Sequence, residues 1–182
     1  MNDIVSEPNE MLDLIKSRRS CRHYKADEVP EALLEEIIEA GLYAPSGMNR
    51  QPVVIAAITN KQVRDDLSEL NRQIGEMNLG TDPFYGAPAV LVVLADKNAP
   101  TYLYDGACAM ENMLLAAHSL GLGSCWIHRA KETFETQAGK AILEDLGLEG
   151  DYEGIGQVIV GYKAIDDPTA APRRDGRVFW SR

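Results

Sequence analysis

The spacing of apolar residues in the first quarter of the chain predicts two amphipathic helices, over residues 8–18 and 30–43. In both segments apolar side chains recur at three- and four-residue intervals, which places them on one face of a helix. Pro30 suits the first turn of the second helix, where a backbone N–H has no helical partner. The apolar positions are Met11, Leu12 and Ile15 in the first segment and Leu33, Leu34, Ile37 and Ile38 in the second.

Three short runs rich in Val and Ile predict β-strands in the middle of the molecule. Their apolar residues are nearly continuous rather than alternating, as expected for strands that are covered on both faces. The strands are predicted over 53–59, 89–95 and 157–161, and the helices between them over 61–77, 101–120 and 131–146. Gly121 suits the position just after a helix end. The pattern predicts a sheet with helices on both sides, in the α/β or α+β class.

The composition is that of a single globular domain, predicted to span residues 1–182. Of its 182 residues 45% are apolar and 25% are charged, and the formal charge is −10. We do not expect so acidic a chain to bind nucleic acid, which requires a broad basic surface. No apolar run reaches the roughly 18 residues that cross a membrane, and the start lacks a signal-peptide pattern. We therefore expect a cytoplasmic protein with no membrane partner.

The common motifs for metals and dinucleotides are missing from the sequence. Cys21, Cys108 and Cys125 are odd in number and lack C-x-x-C spacing, and the three histidines are far apart. Neither a phosphate-binding P-loop nor a complete G-x-G-x-x-G occurs. We therefore expect neither a disulfide framework nor a metal site.

The segment SRRSCRHYK, residues 17–25, concentrates basic side chains in an acidic protein. Arg18 and Arg19 could simply complement the dipole of the preceding helix. Arg22, however, lies beyond that helix, and Ser20 adds a hydroxyl donor. A second basic group, Arg173, Arg174 and Arg177, occurs near the other end of the chain. Two arginine clusters favour phosphate binding, because guanidinium groups bind phosphate through paired hydrogen bonds.

The segment APSGMNRQP, residues 44–52, is rich in residues that are routine in turns. Asn49 and Gln51 nevertheless place two amides two residues apart, and each amide can donate and accept hydrogen bonds. This chemistry matches a ligand edge with alternating donors and acceptors, such as a pyrimidine-like ring.

The segment GLGSCWIHR, residues 121–129, is predicted to form a strand or a loop edge between two helices. A tryptophan in such a position is more often packed than used for ligand stacking. Taken alone, the segment predicts a packing role for Trp126.

In combination and in this order, these segments resemble the FMN-dependent nitroreductase family. The motifs that carry the resemblance are RRSCRHY, EALLEEIIEAGLY, APSGMNRQP, GAPAVLVVLAD, GACAMENMLLAAHSLGLGSCWI and VIVGYKAIDDPTAAPRRDGRVFW. They cover the chain from about residue 11 to about residue 180. Val53 departs from the family pattern, in which a tryptophan commonly follows Gln-Pro.

The resemblance implies an α+β fold with a central, mostly antiparallel sheet, assembled as an intertwined homodimer with FMN at the subunit interface. It implies that a tail over residues 164–182 packs on the partner subunit. It assigns the phosphate and ribityl contacts to the two basic clusters, and the flavin-ring contacts to Arg22, the 45–51 loop and the 126–128 segment. The implied FMN-binding residues are Arg18, Arg19, Ser20, Arg22, Pro45, Ser46, Gly47, Met48, Asn49, Gln51, Trp126, Ile127, His128, Arg173 and Arg174.

The chemistry that the resemblance implies is hydride transfer from NADH or NADPH, through flavin N5, to an electron-poor acceptor such as a nitroaromatic or a quinone. The flavin carries this reaction, so that no side chain acts as a nucleophile. Donor and acceptor share one flavin face, which implies ping-pong kinetics. Enone reduction, reductive dehalogenation and azoline oxidation are alternatives on the same fold, and a non-catalytic FMN or nucleotide binder is an alternative of another class.

Overall fold

The centre of the fold is a four-stranded antiparallel sheet. The computed structural model describes residues 9–182, so the predicted start of the first helix at residue 8, and most of the segment searched for a signal peptide, lie outside the described residues. In chain order the elements are α1 (Glu10–Ser17), α2 (Glu31–Leu42), a 3-10 turn (Gly47–Asn49), β1 (Val53–Ile58), α3 (Lys61–Ile74), β2 (Ala89–Asp96), α4 (Tyr102–Ser119), β3 (Gly123–Ile127), α5 (Ala130–Glu135), α6 (Gln137–Asp145) and β4 (Tyr152–Gly161).

The strands lie in the order β1-β2-β4-β3, and all three neighbouring pairs are antiparallel. β2 and β4 are therefore central, whereas β1 and β3 form the two edges. The α+β class and the antiparallel sheet of the prediction are confirmed. The predicted tail, residues 164–182, contains no helix or strand.

Helices cover both faces of the sheet, and each face has its own apolar core. Leu91 and Val93 of β2 pack with α2 and α4, and the alternate residues Val90 and Val92 pack with α3, α5 and Phe84. All four β2 residues are fully buried. Burial on both faces explains why the strand runs are apolar without alternation.

The end of α4 is as predicted, because Gly121 has a φ of 76° and follows the last residues of the helix. The N–H of Leu122 donates to the carbonyl of Ala117, and that of Gly121 donates to the carbonyl of His118. These bonds satisfy carbonyls that the end of the helix would otherwise leave unpaired.

Two predicted boundaries are wrong. The helix over 131–146 is two helices, α5 and α6, because Thr136 adopts an extended ψ of 157° and accepts a hydrogen bond from the N–H of Gly139 as the cap of α6. β4 begins at Tyr152 rather than at residue 157. Gly154 and Gly156 interrupt the apolar run of β4, and both are closely approached by neighbouring residues.

No helix in the described residues is both long and apolar enough to cross a membrane. Within residues 9–182 no group of three or more His, Cys, Asp or Glu side chains is arranged to hold a metal ion.

Candidate functional site

The basic N-terminal segment is attached to the β3 edge of the sheet. Ser20 forms a parallel bridge with Ser124 of β3, and the N–H of Cys21 donates to the carbonyl of Ser124 at 2.9 Å. Further along, the N–H of Lys25 donates to the carbonyl of Tyr162 at 2.9 Å. The segment therefore has a fixed backbone position, and it lies beside the strand that carries the tryptophan of the 121–129 segment.

The guanidinium group of Arg18 includes a buried hydrogen-bond donor. Its Nη1 atom is buried and has no hydrogen-bond partner among the described residues. The neighbouring Arg19 turns its Nη1 toward the backbone carbonyl of Arg18, and Ser17 Oγ lies 3.0 Å from Nε2 of His118 at the end of α4. An unpaired buried guanidinium nitrogen is costly, and an anion would satisfy it.

The surroundings of His118 are electrically positive. Burial lowers the pKa of His118 below its ordinary value, and the nearby charge of Lys163 acts in the same direction. Arg18 and Arg19 lower this pKa further, whereas the carboxylate of Asp167 opposes them. Positive charge thus gathers at this end of α4 in a chain whose formal charge is −10.

The backbone of the 45–51 loop is unusual for residues with side chains. Met48, Asn49 and Gln51 have φ values of 52°, 54° and 49°, in the left-handed region that favours glycine. Such conformations cost roughly 1–3 kcal/mol each and are found mostly where the surrounding structure requires them. The loop therefore holds a specific shape at an energetic cost.

Buried and local hydrogen bonds hold this shape. The N–H of Gly47 donates to Asp105 Oδ1 at 3.1 Å, and Thr101 Oγ1 donates to Asp105 Oδ2 at 2.8 Å. A Cβ at residue 47 would lie 2.2 Å from Thr101 Oγ1, so glycine is required there. Within the loop, Gln51 donates through its backbone N–H to Ser46 Oγ and through Nε2 to Asn49 Oδ1, each at 3.0 Å.

The 45–51 loop and the basic segment lie at opposite ends of α4. The loop is attached to Asp105 in the first turn of the helix, and the basic segment contacts His118 in the last turn. At about 1.5 Å of rise per residue, these two positions are about 20 Å apart. One chain therefore does not bring the two predicted parts of the site together.

The 126–129 segment forms one wall of a cavity of about 290 Å³. Trp126 packs against Gly156 of β4 on one side, in line with the packing role predicted for it, but the residue is 50% exposed and so also offers surface to the cavity. Its ring meets that of His128 edge to face, with centroids 5.7 Å apart. Arg129 follows in a left-handed conformation with a φ of 79°. The cavity is lined by Asn71, Met77, Thr81, Asp82, Pro83, Tyr85, Trp126, Ile127, His128 and Arg129.

Tyr85 connects Arg22 to this cavity. The guanidinium carbon of Arg22 lies 6.0 Å from the centre of the Tyr85 ring, and Tyr85 itself lines the cavity, as Trp126 does. A cation over an aromatic face is a favourable arrangement. Arg22 thus contacts one residue of the cavity lining, and its predicted contact with a flavin ring stays a prediction.

The turn that carries Tyr85 is fixed by Asp82. Its carboxylate accepts hydrogen bonds from Arg64 at 2.5 Å, from Ser68 at 2.6 Å and from the backbone N–H groups of Phe84 and Gly86 at 2.8 and 2.7 Å. Burial alone would raise the pKa of Asp82, but these hydrogen bonds outweigh burial and lower that pKa below its ordinary value. The carboxylate of Asp82 is therefore engaged in four hydrogen bonds within the protein, although the residue also lines the cavity.

The arginines of the tail do not reach the basic N-terminal segment. Arg173 and Arg174 are exposed, and Arg173 Nη1 donates to the carbonyl of Ala171 at 3.3 Å. Beyond them, Val178, Phe179 and Trp180 are 70%, 89% and 75% exposed. The tail thus ends in an exposed basic and apolar stretch.

A match to a known protein family identifies the family of this chain. The model of the nitroreductase family matches residues 15–162, which is most of the chain. The chain belongs to the nitroreductase family.

Individual relatives agree with the family match. The Methanothermobacter thermautotrophicus protein with the assigned name NADH dehydrogenase/NAD(P)H nitroreductase is 33% identical over 121 residues, 64% of this chain and 60% of that protein. An Archaeoglobus fulgidus protein of the same assigned name is 32% identical over 160 residues, 84% of this chain and 85% of that protein. The chain thus spans about 60% of the length of the first relative.

A solved structure agrees over nearly the whole chain. The crystal structure of a nitroreductase with bound FMN from Bacteroides fragilis has a TM-score of 0.88 to this chain at 32% sequence identity. The match covers 96% of this chain and all of the other, 100%.

Within this nitroreductase fold, the predicted site residues form three separate groups. Arg18, Arg19, Ser20 and Arg22 belong to the segment that is bonded to Ser124 of β3, whereas the 45–51 loop lies at the far end of α4 and the tail arginines are exposed. Sequence reasoning missed Tyr85, Asp82 and Asn71, which also line the cavity. The Asp-Pro turn followed by glycine at 82–86 was the available signal for the first two, because aspartate commonly caps such turns.

Proposed function

We propose that this protein is an FMN-dependent oxidoreductase that uses NADH or NADPH to reduce an electron-poor acceptor, such as a nitroaromatic compound or a quinone. The observation that carries the proposal is the buried, unpaired Nη1 of Arg18 at the β3 edge. It occurs in a family member that resembles an FMN-bound nitroreductase at 32% identity. The donor chemistry of this region fits a phosphate.

Arg18, Arg19 and Ser20 would hold the FMN phosphate and ribityl chain. The fixed backbone at Ser20 sets their position, and the positive surroundings of His118 favour a dianion there. Arg173 and Arg174 would complete the phosphate site when the tail is ordered by binding or by assembly. FMN rather than FAD is proposed because the chain has no dinucleotide fingerprint.

The flavin ring would lie between the 126–129 wall and a 45–51 loop contributed by a second copy of the chain. Within one chain the loop is about 20 Å from the basic segment along α4, which favours a site shared between subunits. In that loop the ring contacts would come from Pro45, Ser46, Gly47, Met48, Asn49 and Gln51. The exposed apolar residues of the 164–182 tail favour the same homodimeric assembly.

When bound, FMN supplies the hydride-transfer chemistry between the nicotinamide and the acceptor. The protein binds and orients: Trp126 and Tyr85 supply aromatic walls, and Arg22, held over Tyr85, supplies positive charge near the ring edge. His128 and Arg129, in the same wall as Trp126, add polar and cationic groups. Because donor and acceptor would use this one cavity, they would bind in turn.

The test of this proposal is the identity of the cofactor, followed by an acceptor screen. Purified protein should be yellow and should release FMN, not FAD, on denaturation. It should then oxidise NADH or NADPH in the presence of nitroaromatics or quinones. A colourless protein with no affinity for added FMN would contradict the proposal, and a flavoprotein that no nicotinamide reduces would favour an oxidase or a binder.

A further inference from the structure

Two buried carboxamide side chains hold the backbone carbonyl of His128 in the cavity wall. Asn71 Nδ2, on α3, donates to this carbonyl at 3.2 Å, and Gln157 Nε2, on β4, donates to it at 3.4 Å. Both side chains are fully buried, with an exposure of 0%. One carbonyl of the 126–129 segment therefore takes two donors from two different elements on the inner side of the wall.

This arrangement destabilises the folded state, because it leaves buried polar atoms without hydrogen-bond partners. Within residues 9–182, four buried side-chain polar atoms have no partner, and three of them surround the turn between β3 and α5: Asn71 Oδ1, Gln157 Oε1 and Thr133 Oγ1. A buried polar atom without a partner is unfavourable, because it has lost its hydrogen bonds to water and gained none in the protein. Apolar side chains of similar size would fill the same space without this cost, so packing alone does not explain the two amides.

The carbonyl is part of a peptide whose orientation matters for the cavity. The next residue, Arg129, has φ 79° and ψ 15°, a left-handed conformation that is unfavourable for a residue with a side chain. In a trans peptide the carbonyl and the following N–H point in opposite directions. By holding the carbonyl of His128, the two amides therefore also fix the direction of the Arg129 N–H.

We propose that Asn71 and Gln157 are positioning residues that hold the peptide after His128 in one orientation. They thereby set how the 126–129 wall meets the flavin ring. This inference rests on the proposed function, because it requires FMN in the cavity. Without the two donors, the left-handed turn at Arg129 relaxes and the wall presents different groups to the ring.

The test compares three substitutions at buried positions. Asn71→Leu and Gln157→Met each remove one donor to the carbonyl while they keep most of the side-chain volume. Thr133→Val is the matched control, because it removes a buried, unpaired hydroxyl that makes no contact with this carbonyl. The apoproteins are titrated with FMN, and the visible spectrum and midpoint potential of the bound flavin are measured.

We expect each donor variant to bind FMN about fivefold more weakly, as when the held orientation of the wall is populated only about one fifth of the time, and to change both the band shape and the potential of the flavin. The control should keep the wild-type spectrum and potential. If Asn71→Leu does not fold, Gln157→Met still removes a donor to the same carbonyl and gives the same test.

Folded donor variants with a wild-type spectrum and potential would overturn the positioning role. Equal changes in Thr133→Val would overturn it too, because they would indicate general loosening of the core. A wild-type protein that binds no FMN would overturn both the proposed function and this inference. If the wild type binds FMN and the donor variants keep its flavin spectrum and potential, only this inference is overturned.

Discussion

The substitution Arg18→Met separates the phosphate-binding role proposed for this arginine from a structural role. Methionine keeps the aliphatic stem of a half-buried side chain and removes the guanidinium group, whose Nη1 is buried without a partner. The backbone carbonyl of Arg18, which accepts the hydrogen bond from Arg19, is unchanged by the substitution. The neighbouring arginine therefore keeps its internal contact.

The substitution should leave the apoprotein as stable as the wild type or more stable, but it should weaken the binding of FMN. In the apoprotein the substitution removes an unpaired buried donor, so the free energy of unfolding should stay the same or rise by up to about 1 kcal/mol. In the FMN complex it removes a charge-assisted hydrogen bond to phosphate, worth roughly 1.5–3 kcal/mol. Since 1.4 kcal/mol corresponds to about a tenfold change, the Kd for FMN should rise about 10- to 100-fold.

The assay is fluorescence titration of FMN into apoprotein, with urea unfolding of the same samples. Lys25→Met is the control, because this residue is exposed in the same segment and the substitution changes the net charge equally. If Arg18→Met and Lys25→Met have the same Kd for FMN, the phosphate assignment is wrong. An apoprotein strongly destabilised by Arg18→Met would instead mean that the guanidinium has a structural partner.

Three further predictions concern assembly, acid stability and kinetics. Deletion of residues 172–182 should abolish both the dimer and FMN binding, since it removes the exposed apolar tail; a folded, FMN-loaded monomer in sedimentation would contradict this. Asp82→Asn should lower the free energy of unfolding at pH 7 by about 2–3 kcal/mol. Because the pKa of Asp82 is lowered in the folded state, its stabilisation is present above pH 3.8 and is lost as the pH falls through the folded pKa, so wild type and variant should converge in urea unfolding at low pH. Double-reciprocal plots at several acceptor concentrations should be parallel, as expected for ping-pong turnover, and intersecting lines would mean that a second ligand surface exists.

The elements that could be predicted from the sequence are those in which one pattern of apolar residues continues from end to end. β2 and α4 are long and lie in the core, so burial alone determines their pattern. The first half of β4 was missed because its glycines are required by close neighbours; a Cβ on Gly156 would lie 2.4 Å from Nε1 of Trp126. The division between α5 and α6 was not predicted, because the sequence alone does not distinguish Thr136 from a residue inside a helix. The hydrogen bond that its Oγ1 accepts from the N–H of Gly139 is visible only in the structure.

The parts of the site that were predictable are those with a family motif. The basic segment, the 45–51 loop and the 126–128 segment carry such motifs, but the sequence does not show that the first lies beside Ser124 or that the second is held by Asp105. Asn71 and Gln157 carry no motif at all. Their relation to the cavity depends on side chains that meet only after α3 and β4 have packed.

The most direct test of the central claim is anaerobic stopped-flow mixing of the purified protein with NADH or NADPH alone. The account predicts that the visible band of the oxidised flavin disappears at a rate no slower than kcat, and that an electron-poor acceptor added afterwards restores it. A bound flavin that neither nicotinamide bleaches, or that bleaches only when the acceptor is also present, would contradict the account.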